Sequence, residues 1–380
     1  MRKYDLLLKG GHLIDPSRQI NSKLDLAFSD GKVIEVSTEI PKNNAKQVVD
    51  ISDSFVTPGL IDLHTHVYWG GTSLGIEPDK YCLAGGLTTI VDTGSAGPGN
   101  FSGFRKHVIE KSSFRILAFL HISHAGIFAF SKNVMIGESE NIKMMDPNSA
   151  KQVIKENQDL IVGVKVRLGK RTSGRNGMMP FKFALEVAED CNLPIMAHID
   201  DAPPSYSDLV KELRSGDILT HCFRPAPNSP VGKDSYILSE VLKARDRGVI
   251  FDVGHGMGSF SFDTARKMLE WDFLPDTISS DIHALCLNGP VFDQLTTLSK
   301  FIALGMPLYE VIRRSTHNVA KALNKKELGS LEIGTIADAS ILKLKEGSFE
   351  YFDVNGEKLI ANQKLIPSGL VKSGQWTIAR

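Results

Sequence analysis

Residues 55–66, FVTPGLIDLHTH, decide how this chain is read. They begin as an apolar strand, pass a Pro58-Gly59 corner and end in His64-Thr65-His66. In an extended chain, side chains two apart point to the same side. His64 and His66 therefore present two imidazoles to one point at a strand end, which is half of a divalent-metal site. Taken alone, such a pair is more often a surface or hydrogen-bonded core feature, because imidazole has many uses besides metal. The placing of the other polar residues decides between the two.

Working outward, apolar strand-like runs recur at 55–62, 88–92, 115–122, 160–167, 193–198, 218–222, 249–253 and 277–281. Helical patterns lie between most of them. FKFALEVAEDC (181–191) and YILSEVLKARDRG (236–248), for example, space apolar residues three and four apart and end in a breaker or a polar turn. Eight strand–helix units in a row predict an α/β fold, a (β/α)8 TIM-like barrel over residues 55–325, with chemistry gathered at the carboxyl ends of its strands. A doubly wound open sheet is the alternative. It needs fewer strands, and the first turn lacks a Gly-rich dinucleotide fingerprint. FDQLTTLSKFIALG and LYEVIRRSTHNVAKAL then supply two amphipathic helices to close the barrel. Residues 1–54 and 326–380 read as short strands broken by turn signals such as Gly11, Asp15-Pro16 and Asp30-Gly31. Both ends are expected to join in one small β-sandwich domain.

The bulk properties bound the function. The 380 residues carry 44 Lys+Arg against 44 Asp+Glu, which argues against nucleic acid or an acidic membrane as the main partner. Cys82, Cys191, Cys222 and Cys286 are scattered, without a CxxC, and read as reduced thiols of a cytoplasmic protein. The first residues hold no apolar core of signal-peptide length. The most apolar stretch, ILAFLHISHAGIFAF, is interrupted by His121, His124 and Gly126, so no membrane span is expected. A small-molecule substrate and a homo-oligomeric state are the expectations.

The polar residues at the ends of the runs then fall into one set. The fourth run, LIVGVKVR, holds Lys165 and Arg167. The fifth ends in His198, the sixth in His221, and the eighth in Asp281 and His283. Singly, each has an ordinary reading: a core or loop histidine, or a helix cap for Asp281. Jointly they place histidine, lysine and aspartate on one rim, which points to a metal site. Lys165 sits among Val162, Val164 and Val166, as on a strand buried on both faces. Desolvation there should lower its pKa and leave a neutral amine able to add carbon dioxide. The carbamate so formed is an anionic, two-oxygen ligand able to bridge two metal ions. The ordinary alternative is a lysine reaching to solvent from a strand end. Imidazole plus carboxylate-type oxygens fit Zn²⁺ best, with Mn²⁺, Fe²⁺ or Co²⁺ as alternatives.

GLIDLHTH, the strand-borne Lys165, His198, His221 and the aspartate of SSDIH together resemble the amidohydrolase superfamily, in its binuclear, carboxylated-lysine branch. The likeness extends over nearly the whole chain, including the split β domain and the GSLEIGTIADASIL segment. It implies that His64 and His66 bind the more buried ion with Asp281, and that His198 and His221 bind the other. It also implies that a CO₂-derived carbamate on Lys165 bridges the two divalent ions, and that Asp281 shuttles the proton. Two metals sharing a water lower its pKa towards neutrality and hold it for attack.

Further residues are expected to shape the substrate pocket. Tyr68 follows the paired histidines. Arg167 shares a face with Lys165 and could hold a substrate carboxylate through a bidentate pair, or else pair with Asp200 or Asp201. His255 lies in a Gly-His-Gly turn after the seventh run, and His283 shares a face with Asp281. Dihydroorotases carry an Arg shortly after the paired His, where Tyr68 and Trp69 stand here. The runs HVYWGGTSLG, GVKVR and DVGHGMGSFSF look more like a subgroup labelled dihydroorotase-like or adenine-deaminase-like, some members of which resemble deacetylases. The expectation is therefore hydrolysis of an acyl, foremost acetyl, ester or amide of a small carboxylic acid by a metal-bridging hydroxide. The alternatives, in order, are a cyclic amidohydrolase of the dihydroorotase or hydantoinase type, an adenine-type deaminase, and a non-catalytic scaffold.

Overall fold

The architecture is that of a computed structural model, which describes residues 3–378; Met1, Arg2, Ala379 and Arg380, counted above in the small β domain, lie outside the described residues. Seven parallel strands lie side by side in chain order: Leu60–Thr65, Leu87–Thr93, Arg115–His121, Ile161–Leu168, Ile195–Ile199, Ile218–Thr220 and Ile250–Asp252. The eighth run closes the ring without forming a regular strand. Thr277 bridges Asp252 and Ile282 bridges Thr65, both in parallel sense. Val253 N–H donates to Thr277 O at 3.1 Å, and Asp281 N–H to His64 O at 2.8 Å. The run is irregular because its serines serve side chains: Ser279 Oγ donates to Asp252 and Ser280 N–H to Asp62. Asp281 itself turns into the left-handed region, at φ 51.

Alternation along the strands sorts the core into an inner and an outer part. Ile61, Leu63, Val91, Leu117, Phe119, Met196 and Ile218 fill the floor of the barrel, closed from below by Val319 and Leu323. Outside, strand residues such as Val164 and Val166 pack under helices such as Met179–Cys191, through Phe181, Ala184 and Val187. The barrel is thus a packed solid with a polar upper rim, and what that rim carries is set by the last residues of each strand.

Two further sheets lie beside the barrel, one of four strands from the N-terminal end alone and one of six strands from both chain ends. They pack face to face over Leu8, Phe28, Val56, Ile341 and Val371. Residues 55–62, read as one run from sequence, are two strands here. Phe55–Pro58 pairs with Ala339–Phe352 in the six-stranded sheet, while Leu60–Thr65 enters the barrel. The break falls at Gly59, where a Cβ would lie 2.1 Å from Thr88 Oγ1. Only a residue without a side chain lets the chain cross that tightly. The long Ala339–Phe352/Lys358–Lys372 hairpin then leans on the helix Gln294–Ala303, with Leu365 N–H donating to Ser299 Oγ at 3.0 Å. Among the described residues no helix is long and apolar enough to cross a membrane.

Candidate metal centre and substrate cavity

The first barrel strand delivers His64 and His66 to one point, as its pleat requires, and Asp281 arrives there from the eighth run. His64 Nε2 and His66 Nε2 each stand 3.2 Å from Asp281 Oδ1. The other ring nitrogens are taken. His64 Nδ1 meets Thr220 Oγ1 at 2.8 Å, and that hydroxyl donates to Asp252 Oδ2. His66 Nδ1 meets Ser95 Oγ at 3.0 Å. Thr220, having spent its proton on Asp252, accepts from His64 Nδ1–H, so His64 Nε2 is left as a bare lone pair. Burial, with Lys165 as the next cause, holds both imidazoles well below their usual range, hence neutral. The His64 Nε2 lone pair and Asp281 Oδ1 thus face each other at 3.2 Å, with His66 Nε2 at the same distance from that oxygen, an arrangement that a cation between them would satisfy. The three residues fit a divalent ion.

Beside them, His198 Nδ1 lies 2.6 Å from His221 Nε2. His221 Nδ1–H donates to Gly254 O at 2.7 Å, which again leaves its Nε2 as the acceptor. His198 Nε2 is buried with no partner. Burial lowers His198 well below the imidazole range and His221 to about 3. Two neutral rings pressed together, one with an orphaned nitrogen, fit a second cation. Lys165 is fully buried, and its Nζ makes one contact, 3.5 Å from His64 Nε2. Burial pulls its pKa down to about 7. An amine with room for three hydrogen bonds and one long contact is poorly satisfied as an ammonium. His221 at φ 69 and Asp281 at φ 51 both hold left-handed backbone, a strain of the kind that collects at functional sites.

Above these groups opens a cavity of about 340 Å³, the size of a small organic molecule rather than a polymer. His64, His66, Lys165, His198, His221 and Asp281 all line it, as do Arg167 and His283. Tyr68 and His255 do not. The chain turns away after His66, so Tyr68 packs on Phe104 and its hydroxyl donates to Asn100 O. His255 lies fully buried beneath the rim, stacked on Phe260 and accepting from Lys300 Nζ at 2.7 Å. Its neighbour Gly256 supplies the close approach: a Cβ there would fall 2.2 Å from Asp281 Oδ2.

Among the lining residues that escaped sequence reading, Glu138 and Arg224 carry charge. Glu138, from the long loop after the third strand, accepts from His121 Nε2 at 3.2 Å and pairs with Arg167 at 3.4 Å. Arg167 also lies over the Phe130 ring, 5.0 Å from its centroid. Nothing in the periodicity of that loop shows where it folds. Arg224 stands three residues after His221 and could have been found by extending the strand-end rule one turn further. Thr220 and Asp252, which orient His64, sit at strand ends and also escaped sequence reading, though the same rule would have reached them.

A closed parallel barrel with imidazoles, a carboxylate and a buried lysine on its carboxyl rim defines a hydrolytic enzyme, of a class that is typically metal-dependent. The chain belongs to the amidohydrolase family, matched over residues 55–376. It is 34% identical to a deacetylase of Agrobacterium fabrum over 332 residues, 87% of this chain and 81% of the relative. Among solved structures it resembles an adenine deaminase, with TM-score 0.91, 29% identity and coverage of 99% of this chain and 100% of the other. It also resembles a dihydroorotase, with TM-score 0.89, 31% identity and coverage of 98% and 99%. One scaffold with three named activities locates the differences in the cavity wall rather than in the barrel.

Proposed function

We propose that this protein hydrolyses an acyl, foremost acetyl, ester or amide of a small carboxylic acid. Two divalent ions, best Zn²⁺, would be held by His64, His66 and Asp281 on one side and by His198 and His221 on the other, with Lys165 as a carbamate between them. When bound, such ions supply a water acidified towards neutrality and an electrophilic pull on the substrate carbonyl. The chain's own residues do the rest. Asp281 Oδ2, the oxygen not shared between His64 and His66, takes the proton from the attacking water and returns it to the leaving group. Thr220 and Ser95 keep both imidazoles aimed with their Nε2 lone pairs forward. Arg167, held by Glu138 and the Phe130 ring, forms the wall beside Lys165, and His283 borders Asp281. The barrel, 55–325, carries the chemistry on this reading, and the two chain ends support it.

The observation that carries the reading is the buried, under-satisfied Lys165 within reach of two groups of neutral histidines. The deacetylase named among the relatives favours acyl transfer to water over ring opening. A screen of metal-loaded protein against N-acetyl, O-acetyl and cyclic-amide acids tests it. Turnover of acetylated acids is expected. Ring opening of a hydantoin or dihydroorotate, with no acyl compound cleaved, would replace it by the cyclic amidohydrolase reading.

A further inference from the structure

Between the seventh and eighth runs the chain passes through the turn Gly254-His255-Gly256, which meets both groups of candidate metal ligands without lining the cavity. Gly254 O accepts from His221 Nδ1–H at 2.7 Å. A Cβ on Gly254 would fall 2.2 Å from Thr220 Oγ1, the hydroxyl that orients His64. On the other side of the turn, Gly256 packs its bare Cα against Asp281 Oδ2. Backbone bonds lay the turn along the eighth run: His255 N–H donates to Ser279 O at 3.2 Å and Gly256 N–H to Ser280 O at 2.9 Å. Both glycines hold left-handed backbone, at φ 48 and φ 53, and bring no side chain to fix it. His255 is the one side-chain anchor of this turn.

That anchor has two ends. Gly256 O can only accept, so His255 Nδ1, 2.9 Å away, carries the ring proton and donates to it. Nε2 is then bare and accepts from Lys300 Nζ at 2.7 Å, while the ring lies on Phe260 with centroids 4.6 Å apart. The Nε2 end ties the turn to the core beneath it. The Nδ1 end fixes Gly256, the residue packed on Asp281. We infer that His255 is a positioning residue: through its Nδ1–H bond to Gly256 it holds the turn that sets the spacing between the His221 and Asp281 ligand groups. This rests on the two-ion reading of the rim and adds to it a residue outside the cavity. A ring kept only for packing would act through Phe260 and Lys300, so its loss would lower stability and metal binding together. A ring that acts through Nδ1 separates the two.

The two ends can be cut separately. The amide of asparagine reaches the place of Nδ1, and that of glutamine the place of Nε2. His255→Asn therefore keeps a donor for Gly256 O and abandons Lys300, whereas His255→Gln keeps an acceptor for Lys300 and abandons Gly256. Three quantities are compared with wild type: zinc affinity by chelator competition, kcat and KM on acetylated acids, and the urea midpoint of the full chain in chelator, where bound zinc does not enter. His255→Gln should keep the wild-type midpoint and lose about 10- to 100-fold in zinc affinity, with a similar loss in kcat and little change in KM. His255→Asn should unfold at lower urea yet lose less than about three-fold in zinc affinity and kcat. Wild-type zinc affinity in His255→Gln, or losses that follow the urea midpoint and fall on His255→Asn, overturn the inference. If wild type binds zinc and cleaves no acyl compound, the acyl-hydrolase reading fails, and zinc affinity alone decides the inference. A wild type that binds no zinc overturns both. Should His255→Gln not fold, His255→Asn decides: zinc held at a lowered urea midpoint supports the inference, and zinc lost overturns it.

Discussion

The rim of the barrel and the seam where its helix Gln294–Ala303 meets the C-terminal hairpin each bury a lysine completely, Lys165 and Lys300. Burial lowers both to about 7. Their surroundings differ. Lys300 Nζ donates to His255 Nε2 at 2.7 Å, to Pro290 O at 3.0 Å and to Phe352 O at 2.7 Å, so all three of its donors are used. Lys165 has one contact at 3.5 Å and neutral histidines around it. Burial and a lowered pKa therefore do not distinguish a structural lysine from a reactive one. Satisfaction does: Lys300 is complete as it stands, while Lys165 is left with one long contact.

Substitutions separate the two. Lys165→Met should cost the most, a loss of roughly 1,000-fold or more in kcat measured with excess Zn²⁺ and bicarbonate, since several kcal/mol of metal-derived stabilisation go with it. Its melting temperature should hardly fall; an active Lys165→Met protein would erase the distinction. Asp281→Asn comes next, lowering kcat on the order of 100- to 1,000-fold with a much smaller change in KM, because the proton shuttle is lost rather than the pocket. Lys300→Met reverses the pattern. It strands His255 Nε2 and two carbonyls, so denaturant unfolding should lose about 3 kcal/mol while kcat falls less than about ten-fold.

The smallest effect is on pH dependence. Lys300 binds its proton more weakly folded, at about 7, than at its ordinary value of 10.5. Between those values the unfolded chain holds more protons, so this group makes stability rise with pH, by at most about 1.4 kcal/mol per pH unit. Lys300→Met should flatten that slope in urea melts between pH 7 and 10; an unchanged slope would mean that the ammonium is retained in the fold.

Lys165 was legible in the sequence because a strand states its own register: a charged residue among Val162, Val164 and Val166 has few places to go. The same holds for His64, His66, His198, His221 and Asp281, each at the end of an apolar run. Lys300 was not legible, since it lies on an amphipathic helix where a lysine is ordinary, and only the approach of His255 and Phe352 from distant segments makes it unusual. Tyr68 and Glu138 were misjudged or missed for one reason. Both stand on loops, whose direction depends on packing against other parts of the molecule. The strand that divides at Gly59 shows a further limit, because an unbroken apolar run does not tell which sheet each half will join.

The claim on which the rest depends is that Lys165, as a carbamate, joins two ions into one centre. Metal content of wild type and Lys165→Met, loaded side by side with Zn²⁺ and bicarbonate and then freed of excess, tests it most directly. The expected result is two ions per chain in wild type and no more than one in the variant. Equal occupancy in both proteins, or a wild type that retains no metal, would contradict it.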